Sequence, residues 1–202
     1  TNTMKLWDKG TNINEQIEQF TVGNDREVDL FIAKYDVLAS IAHAEMLASI
    51  SILSQQELAD LKQELQSILE QIEQGNFVIE QQFEDVHSKT EYDLTKQLGE
   101  VGKKIHTARS RNDQVLVALQ LYYKDSLNII NEKVKSLFDT LIELADLHKS
   151  KLLPCYTRLQ VAMPSSFGLW FSSYAETLID DLYFLKAAYK VADQNPLGSA
   201  AG

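Results

Sequence analysis

A chain of 202 residues, 45% hydrophobic and 24% charged, has the size and composition of a soluble globular protein with one large domain or two small ones. Its formal net charge of −10 argues against general nucleic-acid binding, which needs a broad basic face. No apolar run is long enough to cross a bilayer or to act as a signal-peptide core, and a single cysteine, Cys155, excludes an internal disulfide and fits a reducing, cytoplasmic setting.

Eight glycines and three prolines leave little room for sheet turns, and the chain reads as helices in order. Thr1-Asn2-Thr3 ahead of Met4 looks like an appended remnant. Residues 14–20 predict a short helix, and 21–25 a turn in which Asn24 or Asp25 can cap the next helix. Val28, Phe31, Ile32, Tyr35, Leu38, Ile41 and Ala42 recur at steps of three and four, the period of an amphipathic helix that runs on through Leu47, Ile50 and Leu53. Ser54-Gln55-Gln56-Glu57 is a capping box. It opens a helix with an apolar stripe at Leu58, Leu61, Leu65, Ile68, Leu69 and Ile72, stopped by Gly75. Residues 76–86 predict a connection. Ser88-Lys89-Thr90-Glu91 predicts a second capping box, for a short helix ended by Gly99. A long pattern over residues 112–149 carries a seam at Leu127, Ile130, Val134, Leu137, Leu141 and Leu144. A second long pattern after Pro164 carries Phe167, Phe171, Tyr174, Leu178, Leu182, Leu185 and Tyr189. Only Phe77-Val78-Ile79 hints at a period of two. Long seamed helices need partners, and a bundle core normally takes about four. Subunits, or further chain beyond the Gly/Ala-rich end, are therefore expected to supply the rest.

Three stretches carry more polar groups than packing needs. Residues 102–113 place Lys103, Lys104, Arg109 and Arg111 with His106 and Ser110 at the start of the long helix. Asn112 is the expected cap. Helix N-termini attract carboxylates and phosphates, so a basic turn in an acidic chain is a candidate anion site. A solvated helix start explains the same composition. Glu84-Asp85-Val86-His87-Ser88 and residues 156–164 are the others. Taken alone, the first is a loop entering a capped helix, and the second an interhelical connector. His43, His87, His106 and His148 lack the paired spacing of a zinc site, and neither a dinucleotide loop nor a Walker motif occurs. No metal and no cofactor are expected, and His43 reads as a structural histidine.

The run Lys104-Ile105-His106-Thr107-Ala108-Arg109-Ser110-Arg111-Asn112-Asp113-Gln114 resembles the signature of the argininosuccinate lyases, in the fumarase/aspartase superfamily. Glu84-Asp85-Val86-His87, Tyr156-Thr157 with Leu159-Gln160, Pro196-Leu197-Gly198-Ser199 and Lys5-Leu6-Trp7 match in order and spacing. The resemblance covers nearly the whole chain. It implies an all-α fold, with a small helical N-terminal domain over residues 1–111 followed by the first part of a central long-helix bundle over 112–202. It implies β-elimination of argininosuccinate to arginine and fumarate, in a homotetramer whose clefts are each shared between subunits. Ser110, Arg111, Asn112 and Thr157 are then substrate contacts. Asp85 and His87 line the cleft, with His87 in a supporting role, and Arg109 and Gln160 add hydrogen bonds.

Four departures bear on activity. The family carries histidine, its general acid, where this chain has Arg158. Arginine stays protonated and cannot cycle a proton near neutral pH. The glycine usual before Arg-Ser-Arg is Ala108. The family's N-terminal substrate-contacting serine has Asn24 or Asp25 in its place, and its catalytic serine lies beyond Gly202. An inactive structural relative of the delta-crystallin type is therefore a second reading, and a plain helical assembly module a third.

Overall fold

The computed structural model describes Phe20 and residues 22–196. The expected helix over 14–20 and the matches at 5–7 and 197–199 lie outside the described residues. The described part is built from helices, as the sequence predicts, with one small hairpin. The chain divides into two compact units, the first running to Tyr122 and taking in Asn195 and Pro196, the second Tyr123–Gln194.

In the first unit, α1 (Asp25–Val28) leads into α2 (Leu30–Ser49), and α3 (Gln55–Glu73) packs against α2. The Ser54 box is complete: Glu57 N–H donates to Ser54 Oγ at 3.2 Å, and Ser54 N–H donates to the Glu57 carboxylate at 2.8 Å. The Lys104 ammonium beside Glu57 is the first cause, and the Ser54 donors the next, of a Glu57 pKa lowered to about 2. The α3 stripe packs as predicted: Leu61, Leu65, Ile68 and Leu69 are buried. Burying such side chains stabilises by roughly 1.5–3 kcal/mol each.

The stripe expected for α2 holds at Ile32, Leu47 and Leu53, which are buried, and at Tyr35 and Ile41, which pack on the core, and is corrected at its start. Phe31 is 68% and Val28 58% exposed. The residues buried against the core are Ile32, Ala33, Asp36, Val37, Ser40, Ala44, Leu47 and Ala48. Small side chains let α3 approach closely, and bulk at that contact would push the helices apart. The helix also ends at Ser49, not beyond Leu53, because Ser51 turns the chain at φ 63°. Asn24 precedes α1 without a side-chain cap bond.

Residues 76–80 carry no helix or strand, with Phe77 and Ile79 buried and Val78 61% exposed, and a turn follows at 81–82. This alternation is the hint of period two, but among the described residues no strand pairs with it. Arg26 pins the segment, donating to the carbonyls of Phe83 at 2.7 Å and Gln81 at 2.8 Å. The next helix, α4 (Val86–Leu98), starts two residues before the predicted box. Its cap is Asp85, whose carboxylate accepts from Ser88 N–H at 2.9 Å. Gly99 ends it at φ 59°, and α5 (Glu100–Lys103) comes directly after. A Cβ on Gly102 would lie 2.3 Å from the Leu94 carbonyl, so only glycine permits this approach of α5 to α4. A short 3₁₀ turn, Lys104–His106, then delivers the basic segment to α6 (Arg111–His148).

The second unit holds most of α6, a hairpin of β1 (Leu152–Thr157) and β2 (Gln160–Ser166), and α7 (Phe167–Ala192). The two helices run antiparallel: Gly168 lies against the backbone of Ala145 and Lys149 at one end, and Lys124 pairs with Asp193 at the other. The Ser166 hydroxyl caps α7 through Leu169 N–H at 3.1 Å. The hairpin replaces the expected connector. Pro154 pairs across to Pro164, and the register slips between Pro154 and Tyr156. Among the described residues no helix is long and apolar enough to cross a membrane.

Candidate active site

Two helix N-termini of the first unit meet through one arginine. The Arg111 guanidinium pairs with the Asp85 carboxylate and donates to Ser88 Oγ at 2.9 Å. It also lies 4.0 Å from Glu84. Asp85 caps α4, Ser88 belongs to its first turn, and Arg111 opens α6. Burial acts to raise the Asp85 pKa, but the Arg111 hydrogen bond and the Ser88 N–H outweigh it, holding the carboxyl below its ordinary range.

The cap of α6 is Ser110, not Asn112. Ser110 Oγ accepts from Asp113 N–H at 3.2 Å and donates to the Asp113 carboxylate at 2.8 Å, while Ser110 N–H donates to the same oxygen at 3.0 Å. This is a capping box with aspartate in the glutamate position. Asn112 is exposed in the first turn. Its cap reading fails for a simple reason: Ser110, two residues earlier, has the reciprocal acid three residues on. Ala108 takes φ 56°, in the region that favours glycine. Alanine there carries strain of roughly 1–2 kcal/mol, more than its small size suggests.

Beneath the turn lies a buried polar row that sequence reasoning missed. Asp36, fully buried, accepts at Oδ1 from His87 Nδ1–H at 2.8 Å and from Gln114 Nε2–H at 2.8 Å. One helical turn on, Ser40 Oγ accepts from Arg109 at 3.1 Å. One further turn on, His43 Nε2–H donates to the Thr107 carbonyl at 2.9 Å. Burial first, and the charge of Arg109 next, push the His43 pKa down, which favours the neutral ring. For His87, burial opposes the charged ring, but Asp36, Asp85 and Asp29 outweigh it and raise its pKa. Asp29 in turn accepts from Val86 N–H at 3.1 Å. In the sequence Asp36, Ser40 and His43 stand at steps of four and three, a spacing that puts them on one helix face without showing that the face is buried.

The remaining sequence-predicted residues lie in the second unit. Thr157 and Gln160 face each other across the hairpin, and Arg158 and Leu159 form its two-residue tip at φ 48° and 65°. Both central residues left-handed is the type I′ geometry that matches strand twist. Thr157, Arg158 and Gln160 are exposed, and Leu159 is 98% exposed. The structure therefore gathers Asp85, His87, Arg109, Ser110, Arg111 and Asn112 in one unit and carries Thr157, Arg158 and Gln160 in the other. Among the described residues no group of three or more His, Cys, Asp or Glu side chains is arranged to hold a metal ion.

Known proteins resemble the chain over nearly all of its length. The argininosuccinate lyase of Bacteroides fragilis is 56% identical over 198 residues, 98% of this chain and 44% of that one. That of Thermotoga neapolitana is 44% identical, over 98% of this chain and 50% of its own length. The chain thus spans about half the length of the curated relatives it matches. Among solved structures, EDDS lyase in complex with formate matches 96% of this chain and 38% of its own, with a TM-score of 0.71 at 25% identity. A fumarate lyase:delta crystallin from Brucella melitensis bound to cobalt matches 95% and 46%, with a TM-score of 0.73 at 19% identity. That second likeness shows the fold alone. Residues 5–202 match the family described as Lyase, and on that match together with these relatives the chain belongs to this lyase family, in the fumarase/aspartase superfamily.

Proposed function

We propose that this chain carries the carboxylate-gripping part of an argininosuccinate lyase, which splits argininosuccinate into arginine and fumarate. The observation that carries the reading is the meeting of Arg111, Asp85 and Ser88 at two helix N-termini. Removing a proton beside a carboxylate loads negative charge onto that carboxylate, and pre-aimed donors are the main means of stabilising it. Arg111, the N–H groups opening α6 and, once it turns from Asp113, the Ser110 hydroxyl supply such donors. Asp85 suits the cationic end of the substrate once Arg111 turns to a carboxylate. Thr157 and Gln160 add neutral hydrogen bonds. On this reading residues 1–111 are the N-terminal domain, 112–202 begin the central bundle, and long helices from neighbouring copies complete a cytoplasmic homotetramer with shared sites. No cofactor takes part.

Arg158 decides how fast such a site can run. It stands where the family resemblance implies the histidine acid, and a fixed cation cannot hand its proton to the departing guanidino nitrogen. The test uses a polypeptide completed to the relatives' length. We expect argininosuccinate to bind, by calorimetry, whether residue 158 is arginine or histidine. Fumarate release, followed by absorbance, should rise about 10²–10⁴-fold on Arg158→His. Equal rates would remove Arg158 as the limiting residue, and absence of binding in both would overturn the lyase reading. The same residue favours a second reading, an inactive structural relative. It predicts that Arg158→His releases no fumarate either.

A further inference from the structure

We propose that Asp36 is a positioning residue, a buried carboxylate that fixes the spacing of the two helix N-termini at which Arg111 and Asp85 meet; this rests on the carboxylate-binding role proposed above. Asp36 is 0% exposed, and its two donors, His87 and Gln114, are 3% and 6% exposed. They come from different helices. His87 lies between Asp85 and Ser88, both of which hold Arg111. Gln114 lies three residues after Arg111, in the first turn of α6. One oxygen of Asp36 therefore ties the start of α4 to the start of α6. The other, Oδ2, has no hydrogen-bond partner among the described residues.

The tie is part of a rail. Asp36, Ser40 and His43 line one face of α2 and hold, in order, the first turns of both helices, Arg109, and the Thr107 carbonyl. A carboxylate is costly to bury, and an apolar side chain would fill the same space at less expense. What an apolar side chain cannot do is accept two directional bonds from two helices at once. The raised pKa of His87 fits a charged ring held against Asp36, with Asp85 and Asp29 as its further acidic neighbours. Arg109 is the cation on the Asp36 side.

The test is made in the completed polypeptide with Asp36→Asn, which keeps the shape but trades the charged acceptor for a weaker neutral one and sets an NH2 group where Oδ2 stood. A core variant, Leu65→Ala, serves as the control for destabilisation alone. We expect Asp36→Asn to weaken argininosuccinate binding about tenfold or more, as a misplaced contact does, and to lower the midpoint of His87 ring titration followed by nitrogen NMR. Leu65→Ala should leave both unchanged. Gln114→Ala, which spares the ion pair, should weaken binding less and leave the His87 midpoint in place, and it carries the test should Asp36→Asn fail to fold. Unchanged binding in Asp36→Asn or in Gln114→Ala overturns the proposal, as does an equal loss in Leu65→Ala. If the parent binds no argininosuccinate, the functional reading fails by itself. The positioning claim is then judged on the Arg111 Nε–H resonance, which must shift in Asp36→Asn and stay in Leu65→Ala.

Discussion

Asp85 and His87 are two residues apart, and their surroundings favour the charged form of each. The His87 pKa is raised above its ordinary value of 6.5. Such a group binds its proton more tightly folded than unfolded, so its contribution is full below pH 6.5 and is lost as pH rises through the folded value. Asp85 is the converse: its pKa is lowered from 3.8, and its contribution is present above 3.8 and lost as pH falls through the folded value. Thermal melting followed by circular dichroism should therefore show a midpoint that declines from pH 6.5 upward, and His87→Gln should flatten that limb. A limb of unchanged slope in His87→Gln would place the titration elsewhere. The individual site residues are legible in the sequence because their types carry the chemistry: a fork of N–H donors, a hydroxyl and an acid at helix starts. Asp36 is not. A buried charge looks the same as a surface charge in a sequence until the face of the helix is known, and α2 is apolar on more than one face: Ile32 and Leu47 are buried while Phe31 is exposed.

Among the elements, caps explain where the helices start. Ser54 and Ser110 both close reciprocal boxes, but only Ser110 stands in the candidate site. Replacing either by alanine should cost about 1 kcal/mol by chemical denaturation. Ser110→Ala should also weaken argininosuccinate binding, and Ser54→Ala should not. Loss of binding in both would mean that helix stability alone is being read. The Ser54 cap is legible because its partner glutamate lies at the expected spacing. The Ser110 cap is masked by Asn112 because its own partner is an aspartate, a shorter acid that closes the same loop. The hairpin is illegible for a different reason. Type I′ tips favour Asn-Gly, and Arg158-Leu159 carries none of that preference. Pro154 and Pro164 also read as breakers, yet prolines are tolerated where a ladder lacks an N–H partner or has no further neighbour.

At the scale of the whole molecule the two units differ in what they bury. The first has a continuous apolar core drawn from α2, α3, α4 and the start of α6. In the second, Ala145, Gly168 and Ala175 are buried, while Ile130 and Leu137 of the predicted seam are 46% and 51% exposed and Tyr183 and Phe184 of α7 are 69% and 78% exposed. Long apolar stripes left in water favour association, which is the physical support for the proposed tetramer. Sedimentation should give an assembly larger than one chain, and Leu137→Glu should shift it toward the monomer. A wild-type chain that sediments as a monomer would remove that support.

The hairpin tip has a consequence for how such a protein changes over generations. The backbone at residues 158 and 159 is dictated by the strands that close beneath it at Thr157 and Gln160, so the side chain displayed there is a passenger on a frame it does not shape. Histidine and arginine codons can differ by a single base. A lineage carrying this frame could therefore exchange a proton donor for a permanent cation in one step, keep its scaffold and solubility, and regain the donor by the reverse step.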